Sequence, residues 1–287
     1  MKVMHWIPLA AACLFAWSAA AEDVKETVPA EPGGTLVVRL PGGSIEVDTH
    51  DEHRVEIEGR ARGVFDLEVR TDGKTVRVTG SSRGLVPWIS FGGIELHARV
   101  PEEFNLDLNT SGGHIDVQKV MGEVKAHTSG GNVEAGEIEG DVTLRTSGGS
   151  IRAQEISGSL EADTSGGEIH VSEVEGPVKV RTQGGTIRVR EAGSSVEANT
   201  SGGSIEVRFN GTPAGRLHTT GGSIEVELEG GEGVHLSANT TGGRVEIDDE
   251  FETSGRISRN RVDVELDGGG SRLDVTTTGG NVVVKEK

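Results

Sequence analysis

The chain contains no tyrosine and a single cysteine, and aromatic residues make up 3% of its 287 positions. Each scarcity removes a class of protein. One cysteine cannot staple a disulfide scaffold. With so few rings, neither a stacking platform for sugars nor a core built around aromatic side chains is provided for. Basic residues are also few, 28 against 46 acidic ones, and so acidic a chain repels the phosphates of nucleic acid. Glycine is what the sequence has in excess, with 44 residues. Interior glycine costs a helix roughly 0.5–1 kcal/mol relative to alanine, which argues against a helical protein. Collagen is excluded because no strict Gly-X-Y period is present.

At the start, Lys2 precedes an apolar run from Ile7 to Trp17 that closes in Ser18-Ala19-Ala20-Ala21 before Glu22-Asp23. A short basic start, an apolar stretch and a small-residue site read as a secretory signal peptide over residues 1–21, cleaved after Ala21 or the neighbouring Ala20. The run is too short and wrongly flanked for a membrane span. Ala10-Ala11-Ala12-Cys13 is a weak match to a lipoprotein acylation site, since the apolar run continues past Cys13 and Ala10 stands where leucine is usual. A cysteine lost with the signal is the simpler reading. Removal of Lys2 leaves 27 bases against 46 acids, a net charge of −19, and no thiol.

The organising feature is a repeat. Gly-Gly pairs, usually after Thr-Ser, begin at residues 112, 130, 148, 166, 184 and 202, every interval being 18. Further pairs at 221, 242 and 279 give intervals of 19, 21 and 37, the last close to two repeats with one glycine mark lost. Within the unit from Gly112, apolar residues alternate at Ile115 and Val117, return at Val120, and alternate again at Val124 and Ala126. That is the period-2 signature of two short half-buried strands. Gly112-Gly113 and Gly122 punctuate them, where a positive φ would suit tight turns.

A unit this short cannot bury its apolar face alone, but stacked units bury a continuous one. Eighteen residues at ~3.3 Å each give a closed path of ~60 Å, with successive coils ~4.8 Å apart. Stacking turns repeat positions into columns. Ile115, Val133, Ile151, Ile169, Ile187 and Ile205 form one, Ala126, Leu144, Ala162, Val180 and Ala198 the opposing one. Thr128, Thr146, Thr164, Thr182 and Thr200 form a third at a corner, where hydroxyls can bond backbone or one another. Before residue 105 strands are legible without a fixed interval, and Trp88, Phe65, Phe91 and Phe104 cluster there. The expected fold is therefore all-β, a single-chain β-solenoid (β-helix) of about nine 18-residue coils over 106–287, with an irregular N-terminal β cap over 22–105 continuous with it.

Ala98-Arg99-Val100-Pro101, Leu106-Asp107-Leu108-Asn109-Thr110-Ser111-Gly112-Gly113 and the recurring Thr-Ser-Gly-Gly-x-Ile-x-Val are similar to the putative-adhesin β-strand-repeat family of bacterial envelope proteins. Gly43-Ser44-Ile45-Glu46-Val47 looks like that family's first, degenerate unit. The resemblance covers nearly all the mature chain. It implies the architecture and a role as an exported adhesin-like module, and it brings no catalytic residues.

Candidate chemistry is sparse. The calcium-binding β-roll needs Gly-Gly-x-Gly-x-Asp, whereas Gly166-Gly167-Glu168-Ile169-His170-Val171 places Ile and Val at the fourth and sixth positions. Glu137, Glu155, Glu173 and Glu191 occupy one position of four successive coils, with Glu139 and Glu175 two residues on. Stacked like charges repel, and solvent and salt, a polycationic partner or Ca2+ could relieve them; plain solvated surface is the simplest account, and no cofactor is expected. Gly80-Ser81-Ser82-Arg83-Gly84 matches Gly-x-Ser-x-Gly without the helix a nucleophile elbow requires. His50-Asp51-Glu52-His53 reads as a polar turn before it reads as a metal site.

The expected function is an exported, non-enzymatic binding or scaffold module in the periplasm or at the cell surface. It would engage an envelope or extracellular protein partner through a rigid repeat face or by strand addition. Nucleic acid and membrane insertion are not expected, since outward positions are charged, the reverse of a lipid-facing barrel. The competing readings are an envelope glycan-active β-helix enzyme and an accessory protein in envelope-stress signalling.

Overall fold

A computed structural model describes residues 22–61, 65–82, 93–229 and 233–287. The expected signal peptide with Cys13, together with Trp88, Phe91 and the Arg83-Gly84 end of the serine motif, lies outside them. The described residues form 27 strands in two sheets, of 13 and 14 strands, over one continuous apolar core. Each coil gives one strand to each sheet. In the coil from Gly130, Val133–Glu139 enters the first sheet and Val142–Arg145 the second. Pairing between coils is parallel and in register, Val133 lying beside Ile115 and Ile151, and Val142 beside Leu160. The protein is an all-β solenoid.

Alternation sets the register. Ile169 and Val171 point inward at 0% and 3% exposure while His170 between them is half-buried. A one-residue slip would turn every such column to solvent. One coil buries Ile151, Ala153, Ile156, Leu160 and Ala162, and full burial of a Val, Leu or Ile side chain contributes about 1.5–3 kcal/mol. On the outer faces charges pair between neighbouring coils, as Arg152 with Glu134 at 2.5 Å, Arg181 with Glu197 at 3.2 Å and Arg188 with Glu206 at 3.3 Å. Exposed pairs of this kind contribute little, about 0–1 kcal/mol each.

The corner leading from the second sheet to the first is a closed device. Thr164, 6% exposed, donates its hydroxyl to the Gly149 carbonyl of the coil below at 2.8 Å and accepts the Gly167 N–H at 3.3 Å. Thr146, Thr182 and Thr200 repeat both bonds, so the threonine column bonds backbone throughout. Turn conformation does not account for most of the second glycines. Gly113 has φ +112°, but Gly131, Gly149, Gly167 and Gly185 are not left-handed. A Cβ on any of these four would instead overlap the carbonyl oxygen of the second glycine one coil below.

From Phe104 to Leu228 the coils stack in chain order, and at both ends they do not. The coil after Phe104 sits beside Gly34–Leu40 and Gly43–His50, while Thr75–Ser82 and Ile94–Pro101, later in sequence, lie outside that pair. Ile45 and Val47 pair with Ile115 and Val117, so the degenerate unit is a full rung. At the other end, Ser271–Thr277 and Val282–Glu286 slip between the Gly215–Leu228 coil and the earlier Val234–Ile247 coil. The interval of 37 is thus not two stacked repeats with a lost mark. It contains an antiparallel hairpin, Thr253–Ile257 with Arg261–Leu266, that covers the end of the second sheet. Glu22–Pro29, Arg54–Ala61 and Phe65–Asp72, all antiparallel, cover the N-terminal end. Counting the two displaced ones, the two sheets share eleven rungs.

Candidate functional site: an acid-lined corner

The second corner, where each first-sheet strand hands over to the second sheet, has a different construction. Gly136 pairs with Gln154 and Ile138 with Ile156, which leaves Glu137 and Glu155 outside the ladder. Lys119, Glu137, Glu155, Glu173 and Glu191 all occupy this unpaired position, with φ between 54° and 60°. The left-handed conformation costs a residue with a Cβ about 1–2 kcal/mol. Here the glutamate faces solvent, and the residue after it, Ile138, Ile156, Val174 or Ala192, enters the core at 0–1% exposure.

Two residues on, Met121, Glu139, Ser157, Glu175 and Gly193 make a parallel column. These two columns line a groove of about 660 Å³, with Glu102 at the Lys119 end and Asn210 at the other. It stops there for a physical reason. Between Val189 and Ala192 the register shifts, and Ala192 pairs with Phe209; the next coil is one residue shorter there and lacks the left-handed position, and Phe209 fills the core at 1% exposure.

Lys119 Nζ lies 3.9 Å from Glu137 Oε2. Among the described residues the side chains of Glu102, Glu139, Glu155, Glu173, Glu175 and Glu191 have neither ion pair nor hydrogen bond. Nor do the carboxylates converge. Glu46, Asp48 and His97 are the one group among the described residues that brings three ligand atoms within 4.8 Å of one another. The glutamate row is instead a string of single charges at the strand spacing of ~4.8 Å, an arrangement that suits separated cationic groups better than one chelated ion. Beside it, Asp141 accepts the Ser159 hydroxyl at 2.6 Å and its N–H at 2.9 Å, which hold that carboxyl below the ordinary aspartate range.

The Glu46, Asp48 and His97 group lies on the outer face of the first sheet. Glu46 is the register partner of His97, whose Nε2 is 3.0 Å from Asp48 Oδ2; an imidazole with two carboxylates offers a ligand set for a divalent metal. Sequence reasoning missed it because only the pairing of Gly43–His50 with Ile94–Pro101 brings these residues together. His50-Asp51-Glu52-His53 forms a turn: the Glu52 N–H donates to His50 Nδ1 at 3.1 Å, and Glu52 pairs with Arg54. Ser81 and Ser82 end the strand Thr75–Ser82. Phe104, Phe209 and Phe251 are buried and offer no face to a sugar. No helix among the described residues is long and apolar enough to cross a membrane.

Comparison with solved structures finds a putative lipid binding protein from Parabacteroides distasonis ATCC 8503, 14% identical, with 92% of this chain and 96% of that one aligned and a TM-score of 0.44. A putative adhesin from Bacteroides fragilis NCTC 9343 is 10% identical over 93% of this chain and 99% of that one, with a TM-score of 0.38. No curated protein matches the chain. The sequence profile of the Toastrack DUF4097 family matches residues 35–285, nearly the whole two-sheet stack from its first inner rung to its last, and the chain belongs to that family.

Proposed function

We propose that the protein is an exported, non-enzymatic binding and scaffold module of the cell envelope, periplasmic or at the surface, whose acid-lined groove receives a cationic segment of a protein partner. One observation carries this reading. Outer-face charges are widely paired between coils, while six glutamates along one groove make neither ion pair nor hydrogen bond. The stack holds them in place before any partner arrives, which lowers the ordering cost of binding. Aligned charge of one sign also speeds encounter with a basic partner and makes that encounter salt-sensitive.

A glycan-active enzyme is supported less well. Acid–base cleavage needs two carboxylates in unlike environments across a cleft, whereas this row repeats one environment coil after coil. The test uses the chain from Glu22, an oligo-lysine peptide and an envelope extract. Glu155→Gln with Glu173→Gln should weaken peptide binding about tenfold or more, equivalent to about 1.4 kcal/mol, and release the envelope partner in a pull-down. Unchanged capture by the double variant would overturn the groove as the site. New reducing ends from envelope polysaccharide, abolished by a single carboxylate substitution, would overturn the non-enzymatic reading.

A further inference from the structure

A second departure from paired charge lies at the tip of the Thr253–Ile257, Arg261–Leu266 hairpin. The tip reads Arg256-Ile257-Ser258-Arg259-Asn260-Arg261, and all six residues are exposed, Ile257 to 64%. In a chain with a surplus of acid, Arg256, Arg259 and Arg261 have no ion pair among the described residues. Arg256 stands opposite Asp263 in the register, but that carboxylate contacts His235 at 2.9 Å. The tip is also fixed. Ser258 donates its N–H and hydroxyl to the Arg261 carbonyl at 2.9 and 2.7 Å, and the Asn260 and Arg259 carbonyls accept the Thr240 and Val245 N–H groups, both at 2.9 Å. Three guanidinium groups and one apolar side chain are thus presented on an ordered backbone.

The hairpin cannot reach the groove of its own molecule. Arg261 pairs with Asn239, beside the Gly242-Gly243 corner, whereas Leu266 pairs with Val234 at the opposite end of the strand. The left-handed glutamates belong to that opposite corner, about one strand length or ~17–20 Å away across the sheet. A second molecule has no such constraint.

We propose that the hairpin tip of one molecule docks in the acidic groove of the next, so that copies of this chain assemble head to tail. The inference rests on the reading of the groove as a surface for cationic segments and names its occupant. Charge is complementary, three unpaired arginines facing six unpaired glutamates. Arginine is suited to the task because its planar fork engages carboxylates bidentately. Ile257 has an apolar counterpart in Met121, which is 41% exposed at the Lys119 end of the groove. Tip and groove are different surfaces, so the contact is heterologous and leaves a free tip and a free groove at the ends of the chain.

Sedimentation velocity of the chain from Glu22 tests this. At low salt the sedimentation coefficient should rise with protein concentration, and in ~1 M salt, where the Debye length is about 3 Å, it should return to the monomer value. Arg256→Glu with Arg259→Glu and Arg261→Glu should sediment as monomer, as should Glu155→Arg with Glu173→Arg, each with an unchanged far-UV spectrum. Mixing the two variants should restore association, because the native tip of the groove variant meets the native groove of the tip variant, and the reversed tip can also meet the reversed groove. A wild type that stays monomeric, association that survives either reversal, or a mixture that remains monomeric would overturn the proposal. So would flotation of a monomeric wild type with phosphatidylglycerol vesicles that the arginine reversal abolishes, since the tip would then serve a membrane surface. Oligo-lysine binding separates the two levels: binding by a wild type that never self-associates overturns self-docking alone, and absence of peptide binding overturns the groove reading.

Discussion

The threonine–glycine corner and the glutamate corner recur with the same period, yet one is closed on itself and the other faces outward. At the first, the buried threonine is satisfied by backbone on both sides: Thr164 both donates and accepts, and Gly167 lies so close to Gly149 that no side chain fits. At the second, a side chain is kept in the left-handed region where glycine would be easier, and the carboxylates of Glu155, Glu173 and Glu191 make neither ion pair nor hydrogen bond. Repetition alone therefore does not distinguish a structural column from a functional one. What distinguishes them is whether the repeated residue satisfies the fold or is held against its own preference.

The sharpest way to break this comparison is at the glycines. Gly167→Ala would press a methyl group onto the Gly149 carbonyl, and backbone on both sides cannot yield, so a loss of about 4 kcal/mol or outright failure to fold is expected in urea denaturation. Gly166→Ala, whose nearest neighbours would lie at 3.8 Å, should change stability by no more than ~0.5 kcal/mol. Equal effects would show that close approach is not the reason for the second glycine. Thr164→Val keeps the shape of the buried side chain but strands the Gly149 carbonyl and the Gly167 N–H, an expected cost of about 2–3 kcal/mol by the same measurement.

At the other corner the effects should be small and of opposite sign. Glu155→Gly relieves about 1 kcal/mol of left-handed strain and one repulsive charge, set against ~0.5–1 kcal/mol of added chain entropy; stability should hold or rise slightly while oligo-lysine binding falls. A clear loss of stability would make the glutamate a structural part. Smallest of all, millimolar Ca2+ should leave the melting midpoint unmoved, because the carboxylates of the row do not converge. A rise of several degrees would restore the ion as the row's partner.

Much of this was legible in the sequence, and the failures have particular causes. Columns such as Ile151, Ile169 and Ile187 were readable because alternation and period together allow one stacking. The alignment of Glu137, Glu155, Glu173 and Glu191 followed from the same arithmetic. Their left-handed backbone did not, since nothing in the pattern Glu-Ile or Glu-Val announces a positive φ; the residue left unpaired between Gly136 and Ile138, and again between Gln154 and Ile156, keeps the register and leaves no mark in the spacing. Chain order at the ends was hidden for a different reason. Parallel pairing accepts any rung of matching width, so Ile45 fits beside Ile115, and Val282 beside Ile224, with no trace in the spacing. The Glu46, Asp48 and His97 group was invisible for the same reason.

The central claim is that the glutamate corner serves binding while the threonine–glycine corner serves the fold. Its most direct test is one variant, Glu155→Gln with Glu173→Gln, measured for both melting midpoint and oligo-lysine affinity in the same buffer. The account predicts a midpoint within a few degrees of wild type and affinity reduced about tenfold or more, equivalent to about 1.4 kcal/mol. A lowered midpoint with unchanged affinity would contradict it.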